Sequence, residues 1–240
     1  MSNSTLGPAP ALSEVSKSIS GVRQSIDDFA RKHDREPDSI TLLAVSKTKP
    51  VAQISAAIGA GQLAFGENYP DEAFEKIAEL GDKNCEWHFI GAIQSRKSAG
   101  IARHFSWVHS LERLKVARKL SENRPDDMPA LQCCLQVNID GEDTKSGVTP
   151  EQVFELAAHV NELPQLELRG LMAIPAPQTD FNRQRDAFAR VRQLLDELKK
   201  TYTQLDTLSM GMSGDLEAAI AEGATVVRVG TAIFGARAQR

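Results

Sequence analysis

Eight short apolar runs alternate with amphipathic stretches along this chain, and that alternation limits its fold more than any other feature. The runs predicted to be strands cover residues 41–46, 63–65, 87–90, 107–109, 131–138, 168–173, 207–209 and 225–229. Helical spacing fills the intervals at 51–60, 71–80, 94–103, 111–122, 151–163, 181–202 and 215–222. In the sixth of these, Phe181, Phe188, Val191, Leu194, Leu195 and Leu198 share one face. Alternating strands and helices give a parallel sheet with helices outside it, and eight is the strand number that closes a barrel. The predicted class is therefore α/β, a single (β/α)8 TIM barrel; an open doubly wound sheet is the alternative that pattern alone leaves standing. One further helix precedes the first strand, because Leu12, Val15, Ile19, Val22, Ile26 and Phe29 recur at intervals of three and four.

The bulk numbers agree with one large domain. At 240 residues the chain is close to the roughly 250 of a typical barrel. A 41% hydrophobic content supplies a sizeable core, although aromatics at 5% leave Ala, Val, Leu and Ile to build it. Net charge is −4 with no long basic run, which argues against nucleic acid or an anionic membrane as a main partner. Residues 1–10 are small and polar and read as a flexible N-terminus, with 11–240 as the barrel. No secretory leader or run of eighteen apolar residues is present, so a cytoplasmic protein without a membrane span is expected. Cys85, Cys133 and Cys134 lack metal-binding spacing and are read as reduced thiols; no metal site is expected.

Barrel chemistry sits where the strands end and the following loops begin. By that rule Lys47 enters the mouth directly after a buried first strand, where desolvation lowers its pKa and makes its amine a nucleophile. The alternative is a rim lysine with its ammonium in water. Residues 208–215 run from the seventh strand into a helix, with Ser213 as the candidate N-cap and Asp215 and Glu217 in the first turn. Together with Gly230 and Thr231 after the eighth strand, this loop forms a candidate phosphate site, since free N–H groups at helix starts bind anions. Arg228 alternates with Val227 and Val229 and so points into the lumen, where it needs an acidic or ligand partner. An arginine facing a pyridine nitrogen discourages its protonation and makes the ring a poor electron sink. Asn68 either contacts a ligand or caps the next helix. His88 reads first as a satisfied barrel histidine, and Lys145 as a solvated loop lysine.

Taken together, the stretches LLAVSKTKP at 42–50, FGENY at 65–69, WHFIG at 87–91, QVNID at 136–140, TKSG at 144–147, LRGLMAIP at 168–175 and LSMGMSGDLEAAIAEGATVVRVGTAIFGAR at 208–237 closely resemble the pyridoxal phosphate homeostasis family. The resemblance covers residues 10–237 and implies a fold similar to the N-terminal domain of alanine racemase. It implies pyridoxal 5′-phosphate as cofactor, a Schiff base on Lys47, and phosphate contacts from Ser213, Gly230 and Thr231 with the backbone of Met210 and Gly211 nearby. It places Arg228 at the pyridine nitrogen and Asn68 beside the cofactor. Lys49 and Lys145 match family lysines implicated in passing on B6 vitamers. Pro70, Ala92 and Arg96 depart from the usual pattern on the mouth loops.

The implied role is a cofactor carrier or buffer, with B6 vitamers and pyridoxal-dependent apoenzymes as partners and a monomer as the expected state. The rival is an alanine racemase-type enzyme. Racemisation needs a base on each face of the substrate, and of the two tyrosines here, Tyr69 is near the mouth while Tyr202 belongs to an outer helix. No second domain supplying such a base is expected. A barrel binding a sugar phosphate or nucleotide explains the Ser213 and Gly230 loops but leaves Lys47 and Arg228 without a role.

Overall fold

Strands β1 (Thr41–Val45), β2 (Ala64–Glu67), β3 (Glu86–Phe89), β4 (Trp107–Leu111), β5 (Leu131–Val137), β6 (Leu166–Ala173), β7 (Thr207–Ser209) and β8 (Val226–Val229) form a closed barrel in chain order. All eight neighbouring pairs are parallel, including the closing pair of β1 with β8, whose register sets Leu43 beside Arg228 and Ala44 beside Val229. The open-sheet alternative is thereby excluded. The computed structural model describes residues 12–81, 83–142 and 145–236; the tail expected at 1–10 lies outside them.

Helices α2 (Val51–Gly59), α3 (Pro70–Leu80), α4 (Ser98–His104), α5 (Leu114–Asn123), α6 (Pro150–Asn161), α7 (Phe181–Lys199) and α8 (Leu216–Ala221) connect successive strands. Several predicted boundaries move. β4 continues through Ser110 and Leu111, so α5 starts at Leu114 rather than at 111. The helix expected over 94–103 divides into a 3-10 turn, Ser95–Lys97, and α4. A short helix α9 (Thr231–Phe234), too brief for its periodicity to show, follows β8. Tyr69, rather than Asn68, is the N-cap of α3, and Pro70 begins that helix, where the missing N–H of proline costs nothing. Asp215, rather than Ser213, is the N-cap of α8.

The strands alternate between two environments. Leu42, Ala44, Val227 and Val229 belong to the large core between sheet and helices, whereas Leu43, Ala64 and Val226 form a small separate cluster with Ile90. Arg228, two residues after Val226 and paired with Leu43, shares that inner face.

Helix α1 (Leu12–Lys32) is part of the same structure. Its Val15, Ile19, Ile26 and Ala30 are buried, and it packs on α2, α8 and α9, the helices flanking the seam between β1 and β8. Just after α1, the Arg35 guanidinium donates to the carbonyls of Ile220 and Ala224 at 3.0 and 2.6 Å, tying this segment to the end of α8. Because Ile19 is buried, Ile19→Ala should lower unfolding free energy by about 2–5 kcal/mol in urea titrations. A loss below about 0.5 kcal/mol, the range of surface substitutions, would mean that α1 is dispensable to the core.

Candidate functional site

Lys47 is half-buried immediately beyond β1, on a segment gripped from below by a buried ionic cluster. The carboxylate of Glu67 accepts the Ser46 hydroxyl at 2.7 Å and the Lys76 ammonium at 2.8 Å. Lys76 also donates to the Ser46 carbonyl at 2.8 Å and to Glu72 at 2.5 Å. Glu72 in turn accepts the Thr48 N–H. The residues on both sides of Lys47 are thus fixed by three side chains from β2 and α3. Thr48 has φ 63°, a left-handed conformation that is unfavourable for a β-branched residue and persists here under these restraints.

On one side, Ser46 N–H bonds to the carbonyl of Gly66 and brings the end of β2 beside Lys47. The main chains at Asn68 and Gly91 touch so closely that a Cβ on Gly91 would lie 2.2 Å from the Asn68 carbonyl oxygen. This contact fixes Asn68, whose Oδ1 is buried with no hydrogen-bond partner. On the other side is the end of β8. An ideal Cβ on Gly230 would stand 3.2 Å from the Val45 carbonyl, so the strand carrying Lys47 runs against Gly230. Thr231, exposed, opens α9; the N–H groups of Ile233 and Phe234 donate to the Gly230 carbonyl, and those of Thr231 and Ala232 lie ahead of the helix's own hydrogen bonds.

The loop after β7 lies next to this seam. Met210 donates to the Val226 carbonyl, and Gly211 accepts from Arg228 N–H. Met210 is fully buried in the core, so only its backbone is available to a ligand. Gly211 has φ 94°, and a Cβ there would meet Ala219 at 2.4 Å; no side chain fits. The Asp215 carboxylate accepts Met212 N–H at 2.6 Å and closes the turn, leaving Ser213 and Gly214 exposed with N–H groups outside its hydrogen bonds. A cleft of about 390 Å³ reaches Ser213 and Gly214 from the outer flank, between Phe29 and Phe181.

Arg228 is buried, as its alternation requires, but its partners are not acidic side chains. Nη1 donates to the carbonyl and hydroxyl of Ser209 at 2.6 and 2.8 Å, and Nη2 to the Ala173 carbonyl at 3.0 Å. Burial pushes the guanidinium down to about 10. Its Nε–H and second Nη2–H make no hydrogen bond among the described residues.

The remaining predicted residues divide. Lys49 is buried, and its ammonium donates to the carbonyls of Phe234, Gly235 and Ala236 at 3.0, 2.9 and 2.9 Å, closing the end of α9. Lys145 is half-buried rather than fully solvated, 3.3 Å from Glu142, on a loop held where Glu112 accepts Gly147 N–H. Ala92 and Arg96 are exposed, Arg96 bonding to Gln94 at 3.0 Å. Glu67 and Lys76 escaped the sequence reading, although a carboxylate within a buried strand and a lysine on the apolar face of α3 are visible signals.

His88 is a buried lumen histidine satisfied at only one ring nitrogen; its Nε2 has no hydrogen-bond partner among the described residues. Its Nδ1 lies 2.9 Å from His109 Nε2, and His109 Nδ1 lies 2.7 Å from the Ser209 hydroxyl. Burial lowers the proton affinity of both rings, and the facing His88 and Arg228 depress His109 further. In the unfolded chain each would take a proton near pH 6.5. The native state therefore binds fewer protons below that pH. Stability is full above about pH 6.5 and falls on acidification, by up to roughly 1.4 kcal/mol per pH unit for each histidine. His109→Gln should flatten this slope in urea titrations between about pH 5 and 7.5; an unchanged slope would contradict the assignment.

Removing one partner of the buried cluster leaves the other uncompensated. Lys76→Met should cost about 3–5 kcal/mol in urea unfolding, with much of the loss recovered in Lys76→Met/Glu67→Met. Equal stability of the single variant and wild type would show that the cluster does not brace the site.

Fold and mouth define a parallel eight-stranded barrel carrying a lysine at the end of its first strand and two open backbone loops across the seam. The family model described as alanine racemase, N-terminal domain, matches residues 23–238. The pyridoxal phosphate homeostasis protein of Pseudomonas aeruginosa is 55% identical over 226 residues, covering 94% of this chain and 97% of that one. Its Escherichia coli counterpart is 49% identical over 229 residues, covering 94% and 98%. Among solved structures, PipY of Synechococcus elongatus with pyridoxal phosphate bound superposes with a TM-score of 0.80 at 34% identity, covering 92% of this chain and all of that one. The chain belongs to the alanine racemase N-terminal-domain family and, within it, to the pyridoxal phosphate homeostasis proteins.

Proposed function

We propose that this protein binds pyridoxal 5′-phosphate covalently through Lys47 and acts in its homeostasis, holding the cofactor and releasing it to apoenzymes. The observation that carries the reading is the convergence of complementary groups around one strand end. Lys47 offers an amine, the N–H groups of Ser213, Gly214 and Thr231 offer donors to a phosphate, and Arg228 keeps spare N–H groups for a ring nitrogen. The unpartnered Oδ1 of Asn68 is an acceptor for a donor on the ligand. Bound there, the cofactor would supply an electrophilic aldehyde and an electron-withdrawing ring.

The chain's own residues favour holding over turnover. An arginine opposite the ring nitrogen disfavours ring protonation and so weakens the electron sink that carbanion chemistry needs. Tyr69 is exposed at the mouth and Tyr202 packs with the outer helices, so neither is held as a second base against the ring. Lys145, half-buried on its loop, is the better candidate for vitamer transfer; Lys49 is engaged at the end of α9. Every residue named comes from one chain, so a monomer suffices. No helix among the described residues is long and apolar enough to cross a membrane, and three unpaired cysteines fit a reducing compartment such as the cytoplasm.

Wild type loaded with pyridoxal phosphate should show a visible band that borohydride abolishes while fixing the label on Lys47, and Lys47→Ala should show neither. Incubation with a panel of amino acids should then produce no turnover. A colourless, unlabelled wild type would overturn cofactor binding; sustained racemisation or decarboxylation would replace the carrier by an enzyme.

A further inference from the structure

The barrel lumen contains a line of polar side chains, hydrogen-bonded from Arg228 to His88 and ending at a nearby carboxylate, that cofactor binding at the mouth does not require. It starts at Arg228, passes through Ser209, His109 and His88, and reaches Glu86 at the opposite end of the strands, where Glu86 Oε2 lies 3.4 Å from His88 Nε2. Four of the five residues are buried; Glu86 is exposed at the first position of β3.

The donors and acceptors permit one self-consistent direction. Arg228 can only donate, so the Ser209 oxygen accepts from it at 2.8 Å. Among the described residues, the acceptor left for the serine proton is His109 Nδ1, at 2.7 Å. A neutral imidazole that accepts at Nδ1 carries its proton on Nε2, which then donates to His88 Nδ1 at 2.9 Å. His88 in turn carries its proton on Nε2, which makes no hydrogen bond among the described residues and has the Glu86 carboxylate as its charged neighbour at 3.4 Å. The reverse arrangement would leave the serine proton without an acceptor and turn a nitrogen lone pair toward a carboxylate. Each donor therefore points away from the cofactor site and toward the far rim.

The surroundings hold this arrangement in place. The His88 ring stacks on Trp107 with planes 7° apart, and Trp107 Nε1 donates to Glu86 at 2.8 Å. Arg169 lies over the Trp107 ring and is paired with Asp206. The facing His88 ring, with help from the Trp107 hydrogen bond and the Arg169 charge, keeps Glu86 below the ordinary carboxylate range. At the other end, Cys134 and Asp215 are the titratable groups that act on Arg228; burial holds the Cys134 thiol neutral, and Asp215 offsets part of the guanidinium charge.

We propose that Ser209, His109, His88 and Glu86 form a directed relay that positions Arg228 and sets the proton affinity of the cofactor held at the mouth. The proposal rests on the reading that the chain carries pyridoxal phosphate on Lys47. These four are positioning residues, acting through Arg228. Chains of this kind strengthen cooperatively, so the carboxylate at one rim is felt at the other. With the relay intact, part of the guanidinium's donor capacity is directed away from the mouth. Cutting it redirects a stronger cationic donor to the ring and lowers the cofactor's proton affinity.

Two readouts test this, one without cofactor. In the cofactor-free protein, imidazole ¹⁵N shifts should report His88 and His109 as neutral Nε2–H tautomers, and Ser209→Ala should release His109 from that tautomer. In the loaded protein, the pH midpoint of the visible band should fall by roughly one unit in Ser209→Ala, a tenfold change in proton affinity. Glu86→Gln, at the far rim, should move it in the same direction by less, with borohydride labelling of Lys47 retained in both. If Ser209→Ala fails to fold, the exposed Glu86→Gln carries the test. A protonated or Nδ1–H His109 in wild type, or midpoints unchanged in both variants, would overturn the relay. Absence of a trappable band in wild type would instead overturn the cofactor reading, which the tautomer measurement does not depend on.

Discussion

Closing a parallel sheet on itself removes its edges but encloses a lumen that side chains must fill and whose polar groups they must satisfy. In this barrel the lumen is divided. One sector is apolar, where Leu43, Ala64 and Val226 meet Ile90. The other is polar and anchored by Arg228, whose guanidinium finds two carbonyl oxygens and a hydroxyl instead of a counter-charge. A buried cation satisfied in this way keeps its charge and retains donors for whatever occupies the mouth.

A second buried charge system works at the rim. Glu67, Lys76 and Glu72 hold Ser46 and Thr48, so Lys47 is carried on a main chain with little freedom. The left-handed Thr48 shows that these contacts overcome a local preference rather than follow it. Breaking buried pairs costs more than forming them contributes, so such a cluster serves geometry better than stability. In the proposed role of Lys47, an amine gains from a main chain that is positioned before any ligand arrives.

The barrel was legible because parallel strands buried on both faces must be apolar along their length, and their helices must be amphipathic. Strand-end residues such as Lys47, Asn68, Arg228 and Gly230 stood out for the same reason: each interrupts an apolar pattern. Boundaries were harder to read. Ser110 and Leu111 extend β4 although they resemble the start of a helix, because pairing with β5 outweighs local propensity. The N-cap preference of Ser213 failed because Asp215 closes the turn through Met212 N–H. The Glu67–Lys76 cluster and the histidine line were not read at all. Both depend on which residues of separate strands and helices meet in space, and no spacing within one segment records that.

Lys49 has a bearing on how the chain reaches this structure. Its ammonium binds carbonyls at residues 234–236, and its hydrogen bond to Phe234 spans 185 positions of sequence. It lies on the same seam where β1 meets β8, the pairing with the greatest sequence separation in the sheet. Contacts between distant parts of a chain carry the largest entropic cost and form late. Lys47 and Gly230 stand on opposite sides of that seam, so a site built from both, as proposed, is absent from any intermediate with an open barrel. A ligand that bridges the seam would bind only the closed form and act as a clasp, slowing the parting of β1 from β8 in proportion to its supply.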